Sequence, residues 1–115
     1  MHEISAKSEL MDNVIPAGVK IDFIKIDVEG AELQVIRGGI ETIRRNRPII
    51  VFEHGLGAAD YYGTRPEHMY ECMVSGCGFH VSTLKRFLEG LGELSKQEFV
   101  TYFDKGVEFY FVAYP

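Results

Sequence analysis

Asp27, Glu29, Glu53 and His54 are the residues of this 115-residue chain whose types and positions can do chemistry. Asp27 and Glu29 close an apolar run, Phe23-Ile24-Lys25-Ile26-Asp27-Val28, immediately before Gly30. Glu53 and His54 close a second run, Ile49-Ile50-Val51-Phe52. Short β-branched runs of this kind are strands buried in a parallel sheet. Open α/β sheets take their ligands at the carboxyl ends of such strands. An imidazole there titrates near working pH and can accept a proton, while a carboxylate can orient a ligand or a neighbouring base. Three carboxylates and a histidine would also suit a hard divalent ion, but the spacing is no metal motif and no metal is assigned. Glu29, Glu53 and His54 have plainer readings too. Glu29 and Glu32 fall in the first turn of a helix, where carboxylates complement the macrodipole. Glu32 is expected on an exposed helix face, and Glu53 and His54 can be solvated residues leaving a strand.

The elements that must position these groups are legible along the chain. From Ala31 the period changes: Leu33, Ile36, Ile40 and Ile43 recur at helical spacing and predict one helix over Ala31–Arg45. Asn46-Arg47-Pro48 stops it, because the residue before a proline avoids the α region. Strand Ile21–Val28, this helix and strand Ile49–Glu53 then form a βαβ unit with parallel strands. Residues 1–19 are a lead-in with a helical stretch at Ser8–Val14, broken by Pro16-Ala17-Gly18. A glycine-containing loop over His54–Gly63 carries Asp60 and the tandem Tyr61-Tyr62, able to stack on a sugar or planar ligand or to pack on the next helix. Thr64 as cap, Pro66 in the first turn and Glu67 at capping-box spacing open that helix, and Gly76-Cys77-Gly78 ends it. A third strand over Phe79–Leu84, an irregular stretch to Leu94, and a short helix opened by Ser95 and Glu98 and running through Phe103 follow. Asp104-Lys105-Gly106 is a turn, and Val107–Tyr114 is a fourth strand. The last two strands are expected to pair antiparallel at one side of the sheet.

Composition narrows the class. The length allows one domain at most, below the usual size of a complete doubly wound domain. A net charge of −5 argues against a general nucleic-acid binder, and the one dense basic cluster, Arg44, Arg45 and Arg47, suits the last turn of a helix. No apolar stretch approaches the roughly 20 residues that span a bilayer, and Met1–Ser5 lacks signal-peptide character; no membrane partner and a cytoplasmic location are expected. Cys72 and Cys77 form neither a CxxC pair nor a zinc site and read as free thiols. His68 and His80 read as surface or satisfied residues.

The segment Ile21-Asp22-Phe23-Ile24-Lys25-Ile26-Asp27-Val28-Glu29-Gly30-Ala31-Glu32-Leu33 closely resembles the signature of the FkbM family of S-adenosylmethionine-dependent methyltransferases. The resemblance continues through Val35-Ile36-Arg37-Gly38-Gly39 and Arg47–Glu53 to the aromatic strand Phe109–Ala113, from about residue 10 to the C-terminus. It implies an α/β, Rossmann-like class I methyltransferase sheet, six strands parallel and one antiparallel. On that template Ile21–Val28 is the fourth strand, Ile49–Glu53 the fifth, and Phe79–Leu84 with Val107–Tyr114 the last two. The first three strands have no counterpart, nor has the glycine-rich loop that cradles the methionine moiety; Gly55-Leu56-Gly57 follows the wrong strand. Residues 1–115 are therefore expected to be the C-terminal part of a single domain, strands four to seven.

Methyl transfer from a sulfonium is an in-line displacement that needs an aligned acceptor and often a base. The resemblance implies that Asp27 and Glu29 contact S-adenosylmethionine and that His54, with Asp27, is catalytic. It places Glu53, His54, Tyr61 and Tyr62 on the acceptor, a hydroxyl of a small molecule or sugar, with Glu53 orienting His54. The rival reading is a non-catalytic fragment or interaction module. A nicotinamide-binding domain has little support without the glycine fingerprint. In the resembled fold the first strand lies beside the fourth, so Ile21–Val28 becomes an edge inviting self-association or pairing with an N-terminal half.

Overall fold

The computed structural model describes residues 11–27, 31–55, 63–106 and 110–115. The chain begins with a single helical turn, α1 (Met11–Val14), and passes into strand β1 (Phe23–Ile26). Helices α2 (Glu32–Gly38) and α3 (Ile40–Asn46) lead to β2 (Ile49–Glu53). Then come α4 (Pro66–Glu71), continuing as a π-helical turn over Cys72–Gly76, β3 (His80–Thr83), α5 (Leu84–Leu88), α6 (Lys96–Lys105) and β4 (Tyr110–Tyr114).

The four strands form one mixed sheet in the order β1-β2-β4-β3. β1 and β2 are parallel, with Phe23 opposite Ile49 and Ile26 opposite Phe52. β4 runs antiparallel to both of its neighbours, Ile50 pairing with Ala113 on one side and Val81 with Ala113 on the other. The expected antiparallel pairing of the last two strands is present, but β4 also joins them to the βαβ unit. Its central position explains why Phe111, Val112 and Ala113 are all buried. In β2 the alternation is clear: Ile50 and Phe52 are fully buried and the residues between them half-buried.

β1 departs from the expectation of a buried strand. Only Ile26 is buried, and Phe23 is 58% exposed. The reason is its place at the end of the strand order, where it hydrogen-bonds to β2 alone among the described strands. Its start is fixed by Asn46, whose Oδ1 accepts from Ile21 N at 2.8 Å while its Nδ2 donates to Thr42 O at 2.9 Å. Arg47, with φ 51°, ends α3 in the left-handed conformation and donates its N–H to Ile43 O at 2.8 Å.

The single helix expected over Ala31–Arg45 is two helices. Gly39 N donates to Ile36 O, three residues back, tightening the last turn of α2, and Gly39 O accepts from Ile43 N to begin α3. Two consecutive glycines favour such a break, and tertiary packing exploits it. Gly39 is buried beneath Met11, and a Cβ there would meet Met11 Sδ at 2.8 Å. The neighbouring Asp12 caps α3 from outside, accepting from Thr42 N at 2.8 Å and Glu41 N at 3.0 Å. Burial pushes this carboxyl up, but the hydrogen bonds from Thr42 and Glu41 and the charge of Arg45 outweigh it and hold Asp12 below the usual range.

Two further local expectations need correction. The N-cap of α4 is Arg65, without a side-chain cap, and the Thr64 hydroxyl is buried with no partner among the described residues. The stretch after β3, expected to be irregular, contains α5, capped by Thr83, whose Oγ1 accepts from Arg86 N at 3.0 Å. The box at Ser95 and Glu98 forms in both directions and opens α6, which Gly106 closes at φ 60°. Among the described residues no helix is long and apolar enough to cross a membrane.

Candidate active site

The carboxyl ends of β1 and β2 stand side by side, because Ile26 is in register with Phe52. One residue further along each strand are Asp27 and Glu53. Asp27 lies just past the end of β1 and Glu53 is the last residue of β2, so the two carboxylates stand at the same end of the parallel pair. Asp27 is exposed and Glu53 half-buried. Glu53 also sits in the β2–β4 ladder, opposite Tyr110. Glu29, Tyr61 and Tyr62 lie outside the described residues.

His54 continues the alternation of Ile50 and Phe52, and it is 1% exposed. Its ring lies against Phe99 at 5.5 Å and 9°, against Phe103 at 4.8 Å, and edge-on to Phe111 at 6.3 Å. Neither ring nitrogen has a hydrogen-bond partner among the described residues. Burial without a partner disfavours the charged imidazolium and lowers its pKa to about 4. Two expectations are corrected here: His54 is not a solvated residue leaving the strand, and Glu53 does not orient it. Both follow from period-2 geometry, which sends neighbouring residues of one strand to opposite faces.

Glu32 is the residue that sequence reasoning missed. Expected on an exposed helix face, it is 1% exposed, and its Oε2 has no partner among the described residues. It begins α2, on the same stripe as Ile36, Ile40 and Ile43, spacing that was available to read. Asp27 is thus exposed while Glu32, which opens α2, is buried.

A cleft of about 390 Å³ opens behind Phe103, lined by Gly63, Thr64, Arg65, Pro66, Glu67 and Asp104. Phe103, in its wall, is also a ring neighbour of His54. Its walls carry a hydroxyl, a guanidinium and two carboxylates, and the Thr64 hydroxyl is one of the buried groups without a described partner. No three His, Cys, Asp or Glu side chains come together to hold a metal among the described residues.

Comparison with known proteins adds one finding. Residues 4–81 match the family model described as the methyltransferase FkbM domain. The match covers α1 to the start of β3 and stops short of α5, α6 and β4, so it is shorter at that end than the resemblance in the sequence. No curated protein and no solved structure matches the chain.

Proposed function

The chain belongs to the FkbM methyltransferase family, and from that premise we propose that it forms one side of an S-adenosylmethionine-dependent active site that methylates a hydroxyl of a small molecule or sugar. The observation that carries this reading is the sheet edge. A parallel pair, β1 and β2, carries a carboxylate at each carboxyl end, Asp27 and Glu53, with an antiparallel strand, β4, set beside it. One antiparallel strand among parallel ones is what a Rossmann-like class I methyltransferase sheet requires of its last strands. In this reading β1 and β2 are the fourth and fifth strands, and residues 1–115 form the C-terminal part of one domain.

S-adenosylmethionine, when bound, supplies a methyl group on a cationic sulfur. The residues present fit such a ligand: Asp27 is an exposed carboxylate just past the strand end, and Glu32, at the start of α2, keeps a buried oxygen without a described partner. Negative charge at this edge favours a cation, most strongly where water is excluded. Asp27, with Glu29, holds the donor side. The cleft beside Phe103 suits the acceptor, because Thr64, Glu67 and Asp104 offer oxygens to a hydroxylated molecule and Arg65 a fork of donors. With His54 in the aromatic core, the acceptor's proton passes to a carboxylate of the edge, and Asp27 is the exposed one.

The place of β1 at the end of the order of the described strands supports a second element of the proposal. An edge that pairs with no second strand among the described residues, beside exposed Phe23, is a template for another strand, so in this reading the donor site is completed by pairing with an N-terminal half, and self-association competes. The test is calorimetric titration of S-adenosylhomocysteine into the chain alone and into its mixture with a separately supplied segment carrying the first three strands. Saturable binding is expected only in the mixture and is lost on Asp27→Ala. Low-micromolar binding by the chain alone, about −8 kcal/mol, would show that it needs no complement. No binding in the mixture would remove the donor role.

A further inference from the structure

The chain's two cysteines meet across the π-helical turn that follows α4. An ordinary α-helical turn places residues four apart in hydrogen-bond register; the π turn shifts this to five. Cys77 N accordingly donates to Cys72 O at 3.0 Å, which closes the turn directly between the two cysteines. Cys72 is half-buried and open to solvent on one side, whereas Cys77 is 4% exposed and packs in the core.

Three arginines surround the pair from the helices packed beside it. Arg44 donates from Nε to Gly76 O at 2.9 Å, and Arg47 reaches Cys77 O at 3.4 Å and Gly78 O at 3.3 Å. Arg37, on α2, acts on Cys72 together with Arg44. Cationic surroundings and a thiol donor stabilise a thiolate. The Cys77 hydrogen bond brings the Cys72 pKa down to about 7, against the opposing effect of burial and with help from Arg37 and Arg44. The same hydrogen bond and burial push Cys77 up. The two thiols therefore differ in character: Cys72 is half-buried and the more accessible, Cys77 is buried in the core.

We infer that Cys72 and Cys77 form a reversible thiol–disulfide modification site, Cys72 reacting first with a hydroperoxide and Cys77 resolving it. The Cys72 thiolate attacks one peroxide oxygen, the O–O bond breaks, and hydroxide or alkoxide leaves, giving a sulfenic acid. The Cys77 sulfur then attacks the Cys72 sulfur. The S–O bond breaks, and the hydroxyl leaves as water with the Cys77 proton. Overall the two thiols lose two electrons and two protons, and the peroxide is reduced to water and an alcohol, or to two waters. A transient, redox-sensing disulfide of this kind is the form found in reducing compartments.

The experiment is intact-mass and peptide mapping of the full chain after brief exposure to hydrogen peroxide at neutral pH. With only two cysteines in the sequence, an intramolecular disulfide has one possible pairing. The wild-type monomer is expected to lose two hydrogen atoms, to give a linked Cys72–Cys77 peptide, and to recover its mass with a thiol reductant. Cys77→Ala is expected to stop at the sulfenic acid of Cys72, captured by dimedone, and Cys72→Ala to show neither product. Circular dichroism of each variant shows whether it is folded, and a misfolded alanine variant is replaced by rates of iodoacetamide capture in the wild type. Those rates are expected to favour Cys72 over Cys77 by about tenfold or more, as thiolate fraction and access dictate. Oxygen addition without loss of two hydrogens, disulfide-linked dimers in place of the internal bond, or equal capture at the two cysteines would overturn the assignment.

Discussion

The imidazole of His54 lies nearly parallel to the ring of Phe99, 5.5 Å apart and 9° from coplanar. This contact places a titratable group where an aromatic side chain would serve as well, and it gives the fold a built-in dependence on protons.

The sign follows from the lowered pKa of about 4 against the ordinary 6.5. The unfolded chain takes up a proton below pH 6.5 that the folded chain refuses, so stability is fully present above that value. It is lost as pH falls through the window down to about 4, by a total on the order of 3 kcal/mol. His54→Phe is expected to remove this dependence. Urea unfolding of both proteins at pH 7 and pH 4.5 checks it: the two should differ in how far their midpoints fall, and parallel falls would place the acid sensitivity elsewhere.

At the sheet edge, Asp27→Ala is expected to lower methyl transfer by a complemented enzyme about 10²- to 10⁴-fold. Asp22→Ala, at the amino end of the same strand, is the control. Asp22 is exposed and pairs with Lys20 at 3.5 Å, an exposed ion pair worth about 0–1 kcal/mol of stability. Initial rates with labelled S-adenosylmethionine decide between them. Equal rates for the two variants would make Asp27 a structural residue.

Glu32 offers a stability test. Closing a carboxylate from solvent with one oxygen lacking a partner costs about 1–3 kcal/mol, more than the fraction of a kcal/mol gained at a helix N-terminus. Glu32→Leu is therefore expected to raise the urea midpoint, while Glu32→Gln leaves it little changed. A midpoint that drops with leucine would show that the carboxylate is engaged.

Gly39 and Met11 should behave as a coupled pair. Gly39→Ala places a methyl group within 2.8 Å of Met11 Sδ and 3.2 Å of Met11 Cβ, and overpacking of this kind costs about 1–3 kcal/mol. Met11→Ala should recover most of that loss in the double variant. Additive effects in the double-mutant cycle would mean that α1 swings aside freely.

Much of the fold was legible because its signals are local. The strand–helix–strand run over residues 21–53 has two distinct hydrophobic periods, and Ser95 with Glu98 is a self-contained cap that formed as its spacing dictates. What was not legible depends on partners distant in sequence. The break at Gly39 is fixed by Met11, nearly thirty residues earlier, and Thr64 yielded its capping role to burial. The site shows both cases. Asp27 and Glu53 could be placed together from a parallel pair of strands. His54 and Glu32, in contrast, obey the alternation and the helical stripe of their apolar neighbours, and their polarity concealed a pattern that Ile50, Phe52 and Ile36 already displayed.

The placement of β4 sets the order in which the sheet can assemble. β1 and β2 can find each other through the segment between them, but among the described strands β3 joins the sheet only through β4. The bridging strand is later in the chain than both of its neighbours, and Ile50 must wait for Ala113. Closure over so long a loop is slow. Ile50 and Ala113, both fully buried, therefore gain their cover from a pairing distant in the chain.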